Sequence, residues 1–257
     1  MKNFNCDIIF KQNCPGLGDS LQFSTLPERY AEVGNKFYLH NSNVVNNSEI
    51  ESLVWLSNPH VEKEKSFEKI NCTYHTHMTV DLSTKFKVRN FVEWAEFSHG
   101  FEIKNSKPKI YYKPEDISEL SEISVLDIGS ITCFNRGFYK IQSLVNLINK
   151  TIDDRKTLLI NSKHSFSPIL DSFKHLDNID VQDIYHYSNI IKSCREFYCL
   201  YSGGASLASA IREDGAFVFF PDIDIKKEIT SGSHLMPNNR YYCKDKTFLN
   251  SRADWRF

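Results

Sequence analysis

The chain has 257 residues, a formal net charge of −1 and 41% hydrophobic residues. This balance gives no overall electrostatic case for a nucleic-acid or membrane-surface partner. No apolar run approaches the roughly 20 residues that a membrane-spanning helix needs, and the N-terminal residues lack the apolar region of a signal peptide. Seven cysteines are scattered without a Cys-x-x-Cys pair, which favours reduced thiols in a cytoplasmic protein over disulfides or a zinc site.

The N-terminal part of the chain alternates short apolar strands with helices. The run Cys6–Phe10 predicts a buried strand, and a glycine-containing turn follows it. A strand, a glycine-containing turn and a helix in that order are typical of the start of a Rossmann-like βα unit. The inner face of this first helix is predicted to hold Leu21, Phe23, Leu26, Tyr30 and Val33. Later strands are predicted at 36–40 and 70–74, the second continuing through His75 and His77, and helices at 49–56 and 88–101.

A basic segment with two prolines, Lys104–Pro114, is the predicted domain boundary. The strand–helix alternation restarts after it and fades after Asp222, where the chain is polar and is predicted to be irregular. We therefore predict an α/β chain of two Rossmann-like domains, 1–114 and 115–257, with parallel sheets that face each other across a cleft. The C-terminal segment could return to the first domain. In the second domain, strands are predicted at 123–129, 157–161, 179–181, 196–201 and 216–220, and helices at 138–149, 168–176, 185–194 and 207–212.

A second glycine-containing turn, Ser202-Gly203-Gly204-Ala205-Ser206, lies between a predicted strand and a predicted helix. Small residues at such a place let backbone N–H groups approach an anion, and the start of a helix favours negative charge. The glycine pair would equally suit close packing of the helix on the sheet. Neither turn matches the dinucleotide fingerprint Gly-x-Gly-x-x-Gly or a P-loop, so a pyrophosphate group is a better candidate ligand than NAD or ATP bound in the usual way.

Two stretches resemble the heptosyltransferase family, glycosyltransferase family nine. Gly16–Pro27 is similar to the family's N-terminal turn and helix, in which Gly-Asp, an apolar run and Leu-Pro recur. The stretch 201–210 is similar to its C-terminal signature, which is usually Asp-Ser-Gly, a His three residues beyond the Gly, and an Ala-rich helix. The resemblance implies a GT-B fold, with the acceptor bound mainly by the first domain and the nucleotide-sugar by the second. Because Tyr201 and Ser206 replace the family's Asp and His and the chain is short, the donor is not assumed to be ADP-heptose.

The resemblance also implies roles for individual residues. Asp19 matches the family's catalytic base, although an Asp at this place would otherwise suit a helix N-cap. The family places basic side chains after the first strand of the second domain, where Arg136 and Lys140 could bind the donor diphosphate. The predicted diphosphate-binding residues also include Ser202, Gly203, Gly204, Ala205 and Ser206. The predicted acceptor-binding residues are Gly16, Gly18, His75 and His77, the two histidines having a polar strand end as their alternative.

The expected activity is transfer of a sugar from a nucleotide-sugar, UDP- or ADP-linked, to a hydroxyl of a saccharide acceptor such as a surface glycan, lipopolysaccharide or capsule. No cofactor or metal is expected, since the one Asp-x-Asp pair, at 222–224, follows Pro221 in a predicted polar loop. A monomer or weak dimer is expected. Two alternatives stay open. One is a phage-type enzyme that glycosylates hydroxymethylated DNA bases, for which 85–89 and 104–113 would form a basic rim. The other is a non-catalytic nucleotide-sugar-binding module, which the changes at Tyr201 and Ser206 favour.

Overall fold

The computed structural model describes residues 7–12, 16–40, 47–62, 88, 90–130, 134, 139–161, 168–220 and 235–242, and the backbone of 72–76 and 243 together with 246–250. The described residues form two compact units, and the boundary lies between Lys113 and Pro114, with Leu235 grouped with the first unit. This boundary lies one residue from the predicted one. The two units are described separately.

The first unit contains a parallel sheet of four strands in the order β3-β2-β1-β4. The ring of Phe10 on the central strand lies 5.1 Å from Phe23, 5.5 Å from Phe37 and 5.6 Å from Trp55, centroid to centroid, so aromatic packing forms the centre of this core. The strands are β1 Asp7–Lys11, β2 Phe37–Leu39, β3 Val61–Glu62 and β4 Cys72–Thr76. The helices are α1 Leu17–Gln22, α2 Leu26–Glu32, α3 Ser48–Glu51, which continues as a π-helical turn Ser52–Leu56, and α4 Phe91–Ser98.

The single helix predicted after the first strand is in fact two helices. α1 ends at Gln22, and α2 begins at Leu26 with Pro27 in its first turn, where a missing N–H costs no helical hydrogen bond. The prediction that Val33 faces the core is wrong, because α2 ends at Glu32 and the Val33 side chain is 54% exposed. Gly34, with φ +80°, completes the turn after the helix.

A buried carboxylate attaches the predicted boundary segment to the first unit. Glu96 of α4 is fully buried and accepts hydrogen bonds from the backbone N–H groups of Lys104 (2.8 Å) and Asn105 (3.2 Å). Arg29 of α2 lies 3.8 Å from the same carboxylate and donates to the Glu102 carbonyl at 2.9 Å. Glu96 takes the buried position on this helix, and the neighbouring Phe97 is 41% exposed.

The second unit contains a seven-stranded sheet in the order β11-β10-β9-β8-β5-β6-β7. Every neighbouring pair is parallel except β10 and β11, which are antiparallel. The α/β class is confirmed, but the irregular structure predicted after Asp222 is wrong, since β10 and β11 lie there. The strands are β5 Ser124–Asp127, β6 Thr157–Asn161, β7 Asn178–Asp180, β8 Glu196–Leu200, β9 Phe217–Phe219, β10 Arg240–Cys243 and β11 Lys246–Asn250.

The strand order of the second unit contains a topological switch point. From β5 the chain proceeds to β6 and β7 on one side and then returns to β8, β9 and β10 on the other. Ligands of open α/β sheets gather where the strand order reverses, at the carboxyl ends of the strands. The helices are α5 Ile141–Thr151, α6 Ile184–Ser193 and α7 Gly203–Ile211, and the helix predicted at 168–176 is only a 3₁₀ turn, Leu170–Phe173. Since α5 follows β5 and α7 follows β8, both helices begin at the switch point.

Candidate functional site

The carboxyl ends of β5, β8 and β9 are held together by Ser130 and by Tyr139, which precedes α5. The buried Tyr139 hydroxyl accepts the backbone N–H of Tyr201 at 3.0 Å and donates to the Phe219 carbonyl at 2.9 Å. Ser130, just after β5, donates to the Tyr201 carbonyl at 3.3 Å. These bonds connect Ser130 after β5, Tyr201 after β8 and Phe219 at the end of β9, so the polypeptide at the switch point is fixed from three strands.

The start of α7 holds two hydroxyl groups that have no partner among the residues that the structure describes. Ser202 is the N-cap residue, extended at φ −153° and ψ 179°, and its side chain makes no capping hydrogen bond. The first N–H groups of a helix have no acceptor within the helix. The hydroxyl oxygens of Ser202 and Ser206 are buried and have no hydrogen-bond partner among the described residues. The predicted turn 202–206 is therefore an N-cap followed by the first helical turn, because the helix starts at Gly203 rather than Leu207.

Gly204 lies against a buried carboxylate. The Tyr187 hydroxyl of α6 donates to Asp127 Oδ2 at the end of β5 (2.5 Å), and the Gly129 N–H donates to Oδ1 (2.8 Å). Burial raises the pKa of the Asp127 carboxyl, although both hydrogen bonds act to lower it. Burial also raises the pKa of Tyr187 well above its ordinary value. A Cβ atom at Gly204 would overlap the Tyr187 hydroxyl and lie 3.4 Å from Asp127 Oδ2, so glycine is required here by close packing.

Asn239 connects α7 to the residue that precedes β9. Its fully buried side-chain amide donates to the Ala205 carbonyl at 3.0 Å, and its oxygen accepts the Ala216 N–H at 2.9 Å. The neighbouring Asn238 donates to the carbonyls of Ser209 (3.1 Å) and Arg212 (2.8 Å). Helix α7 is therefore attached to the residues before β9 and β10.

Of the two predicted phosphate-binding cations, Lys140 is described and Arg136 lies outside the described residues. Lys140 is the N-cap residue of α5 and is exposed. It directly follows Tyr139, so its backbone lies at the same sheet edge as the start of α7. An open cavity of about 270 Å³ beside α5 is lined by Tyr139, Lys140, Ser143, Leu144, Asn146, Leu147, Lys150 and Phe220.

In the first unit, Asp19 lies in the first turn of α1 and is half-buried. The alternative that Asp19 is the N-cap is wrong, since Gly16 has that position; Gly18 and Asp19 are helical. A Cβ atom at Gly16 would lie 2.7 Å from Asp19 Oδ2, so the carboxylate is packed over the start of its own helix, where a negative charge is favoured. The buried Ser20 hydroxyl and the Gln12 side chain, which follows β1, bond to each other (2.9 Å) and fix this turn to the strand.

The predicted acceptor histidines are only partly described. The backbone of His75 lies in β4, paired with Phe10 of β1, and His77 lies outside the described residues. The first unit thus holds Gly16, Gly18, Asp19 and His75, and the second holds Lys140 and Ser202–Ser206. Sequence reasoning missed Asp127, Tyr139 and Tyr187. A signal existed for Asp127, because it is a lone acid that ends a buried strand.

Two negative findings apply to the described part of the chain. It contains no group of three or more His, Cys, Asp or Glu side chains that could hold a metal ion. None of its helices has the length and apolar character needed to cross a bilayer. Independence from metal ions stays a prediction.

Comparisons with known proteins identify the fold. No protein-family model and no curated protein matches the sequence. Several solved structures match with probability 1.00, and three of them are described below. The iron-containing dodecameric glycosyltransferase TibC from enterotoxigenic E. coli H10407 has 13% identity and a TM-score of 0.55, covering 84% of this chain and 57% of that chain. TibC, described as a heptosyltransferase in complex with ADP-D-β-D-heptose, has 10% identity and a TM-score of 0.58, covering 91% of this chain and 62% of that chain.

A glycosyl transferase of family 9 from Veillonella parvula DSM 2008 has 10% identity and a TM-score of 0.58, covering 94% of this chain and 86% of that chain. This chain spans less than two thirds of the length of either TibC chain that it matches. At these identities the likeness concerns the fold, and it agrees with the two α/β units described above. The chain has the fold of the family 9 glycosyltransferases, the GT-B fold.

Proposed function

We propose that this protein is a glycosyltransferase that moves a sugar from a nucleotide-sugar to a hydroxyl group of a saccharide acceptor. The observation that carries the proposal is the start of α7. There, the buried hydroxyls of Ser202 and Ser206, which have no partner in the described part of the chain, occur at the switch point of a sheet in a chain with the family 9 fold. Buried polar groups are normally hydrogen-bonded, so unpaired ones at a helix start suggest a ligand.

The second unit is proposed to bind the donor diphosphate. The N–H groups at Gly203 and Gly204 and the positive end of the α7 dipole favour an anion, and the Ser202 and Ser206 hydroxyls would donate to it. Lys140 and Arg136 would supply positive charge from the segment that follows β5. These groups would stabilise the negative charge that develops on the leaving diphosphate as the glycosidic bond breaks.

The first unit is proposed to bind the acceptor and to supply the general base. The Asp19 carboxylate would accept the proton of the acceptor hydroxyl while its oxygen attacks the anomeric carbon. General-base catalysis of this kind contributes about 10²- to 10⁴-fold in rate. Gly16 and Gly18 would leave room for the acceptor, and His75 and His77 would contact it. The packing of the carboxylate over Gly16 supports this role, because it limits the positions that Asp19 can take.

The remaining features of the activity belong to the same proposal. The donor is a UDP- or ADP-sugar, and the TibC complex with ADP-D-β-D-heptose supports including adenine nucleotides. The reaction is proposed to need no metal, the chain to be a monomer or weak dimer and its location to be the cytoplasm. TibC is described as iron-containing and dodecameric, so metal dependence and oligomeric state both require measurement on this protein.

A thermal-shift screen tests donor binding. UDP, ADP, GDP, CMP and their sugars are added in turn, and a ligand at 100 times its Kd should stabilise the folded chain by about 2.7 kcal/mol. We expect one nucleotide and its sugar to raise Tm clearly above the others. No Tm shift with any nucleotide or nucleotide-sugar would contradict the proposal.

Two serines of α7 form a matched pair of variants for this screen. Ser206→Ala removes a hydroxyl without a partner, so the free protein should be unchanged or slightly more stable while the ligand-induced shift falls. Ser209 is also buried, but its hydroxyl bonds to Asn238. Ser209→Ala should therefore cost about 1 kcal/mol of stability and keep the ligand-induced shift. Equal ligand-induced shifts in both variants would show that the Ser206 hydroxyl does not contact the ligand.

Asp19→Asn separates binding from chemistry. The variant should keep the donor-induced Tm shift and lose at least about 100-fold in transfer rate. Transfer as fast as in the parent would show that Asp19 is not the base.

Two other outcomes would favour the two alternative functions. Salt-sensitive binding of duplex DNA would favour a DNA acceptor, and donor binding without any turnover would favour a binding module.

A further inference from the structure

Three oxygen atoms lie beside Gly204 in the first turn of α7, on the side where another residue would carry its Cβ atom. Asp127 Oδ2 and Ser202 Oγ would each lie 3.4 Å from a Cβ atom placed there, and the Tyr187 hydroxyl would overlap it. Asp127 is 7% exposed. A buried carboxylate therefore lies at the same helix start that the proposed function assigns to the donor diphosphate.

The charge environment of Asp127 is unusual for an anion site. Among the described residues, the titratable groups that interact with it are Tyr187 from α6 and Cys199 from β8; burial raises the pKa of both groups, and the Asp127 charge raises it further. Among the described residues no lysine or arginine forms an ion pair with it. Burial also limits screening by salt. An ionised Asp127 would therefore repel a diphosphate bound at the same helix turn.

We propose that Asp127 is an affinity-determining residue that takes up one proton when the diphosphate of a nucleotide-sugar binds at the start of α7. The inference rests on the proposed function. The proton comes from solvent and is added to the Asp127 carboxylate, while Tyr187 keeps its own proton. Binding of ligand and proton is then reciprocal: the ligand favours protonated Asp127, and protonation of Asp127 strengthens ligand binding.

Isothermal titration calorimetry measures this proton directly. The nucleotide-sugar that gives the largest Tm shift is titrated at several pH values in two buffers that differ in ionisation enthalpy. A nucleotide-sugar is the right probe because its diphosphate is diesterified and does not itself titrate near neutral pH. For the parent we expect uptake of close to one proton where Asp127 is ionised, and a Kd that weakens up to about tenfold per pH unit.

Asp127→Asn should abolish the proton uptake, remove the pH dependence of Kd and strengthen binding at least about tenfold at the upper end of the pH range. Tyr187→Phe keeps the carboxylate and removes its hydroxyl donor. In that variant the uptake should persist, and its pH range should move upwards because the bond that favours the ionised form is lost.

The outcomes separate the two proposals. Binding by the parent without proton uptake, or the same uptake in Asp127→Asn, would overturn the role of Asp127 and leave the proposed function intact. No binding of any nucleotide-sugar at any pH would overturn both. If Asp127→Asn does not fold, two measurements still test the role of Asp127: the number of protons that the parent takes up and the pH range of proton uptake in Tyr187→Phe.

Discussion

Gly204→Ala should destabilise the protein, although alanine in a helix is normally more stable than glycine by about 0.5–1 kcal/mol. The new methyl group would overlap the Tyr187 hydroxyl and lie 3.4 Å from Asp127 Oδ2. Tyr187 would have to move, which would break its 2.5 Å hydrogen bond to a buried carboxylate. A hydrogen bond to a charged group is worth about 1.5–3 kcal/mol. After the gain in helix propensity is subtracted, we expect a net loss of about 1–2 kcal/mol in the free energy of unfolding.

A double-mutant cycle with Tyr187→Phe, measured by urea unfolding, isolates this contact. Without the hydroxyl, Gly204→Ala should be neutral or stabilising, by up to about 1 kcal/mol. Gly215→Ala is the control. Gly215 has φ +65°, and a Cβ atom there would lie 2.5 Å from the Asn238 carbonyl oxygen, so its cost should be the same with Tyr or Phe at position 187. If Gly204→Ala stabilises the parent, or costs the same in both backgrounds, close packing against Tyr187 is not the reason for this glycine.

At α1, Gly16→Ala would place a methyl group 2.7 Å from Asp19 Oδ2 and displace the carboxylate; transfer should slow by about tenfold or more, with little change in the urea midpoint. Glu96→Gln should cost about 2–4 kcal/mol in urea unfolding, because an amide cannot accept all the hydrogen bonds that the buried carboxylate accepts. Burial raises the folded-state pKa of Asp127, so its contribution to stability is full below the ordinary Asp pKa of about 3.9 and is lost as pH rises through the raised value. Asp127→Asn should flatten the pH dependence of the urea midpoint between the ordinary and the raised pKa of Asp127. A pH dependence equal to that of the parent would contradict this account.

The strand–helix alternation was predictable where short apolar runs coincide with strands, as at β6, whose bounds 157–161 match the prediction. Helix boundaries were less predictable where tertiary packing overrides local preference. The glycine pair placed the predicted start of α7 at Leu207, yet the helix begins at Gly203 because Ala205 and Ser206 are buried and Asn239 bonds to the Ala205 carbonyl. β10 was missed because its backbone is organised by parallel pairing with β9, which no local pattern reveals.

The candidate site was predictable only in its local parts. The resemblance to a known family placed Asp19 and the serines of the α7 start, because each belongs to one short stretch of sequence. The bond between Asp127 and Tyr187 joins residues 60 positions apart. This bond matters because it fills the space beside Gly204. That space depends on the packing of β5, α6 and α7, which no local sequence pattern indicates.

The backbone of Tyr201 has a consequence for engineering this protein. Its N–H group bonds to Tyr139 and its C=O group to Ser130, so one residue fixes both ends of the segment 131–138. Because these bonds tie Ser130 and Tyr139 to the residue that precedes the α7 N-cap, an engineered chain should keep both side chains if α5 and α7 are to keep their starting points.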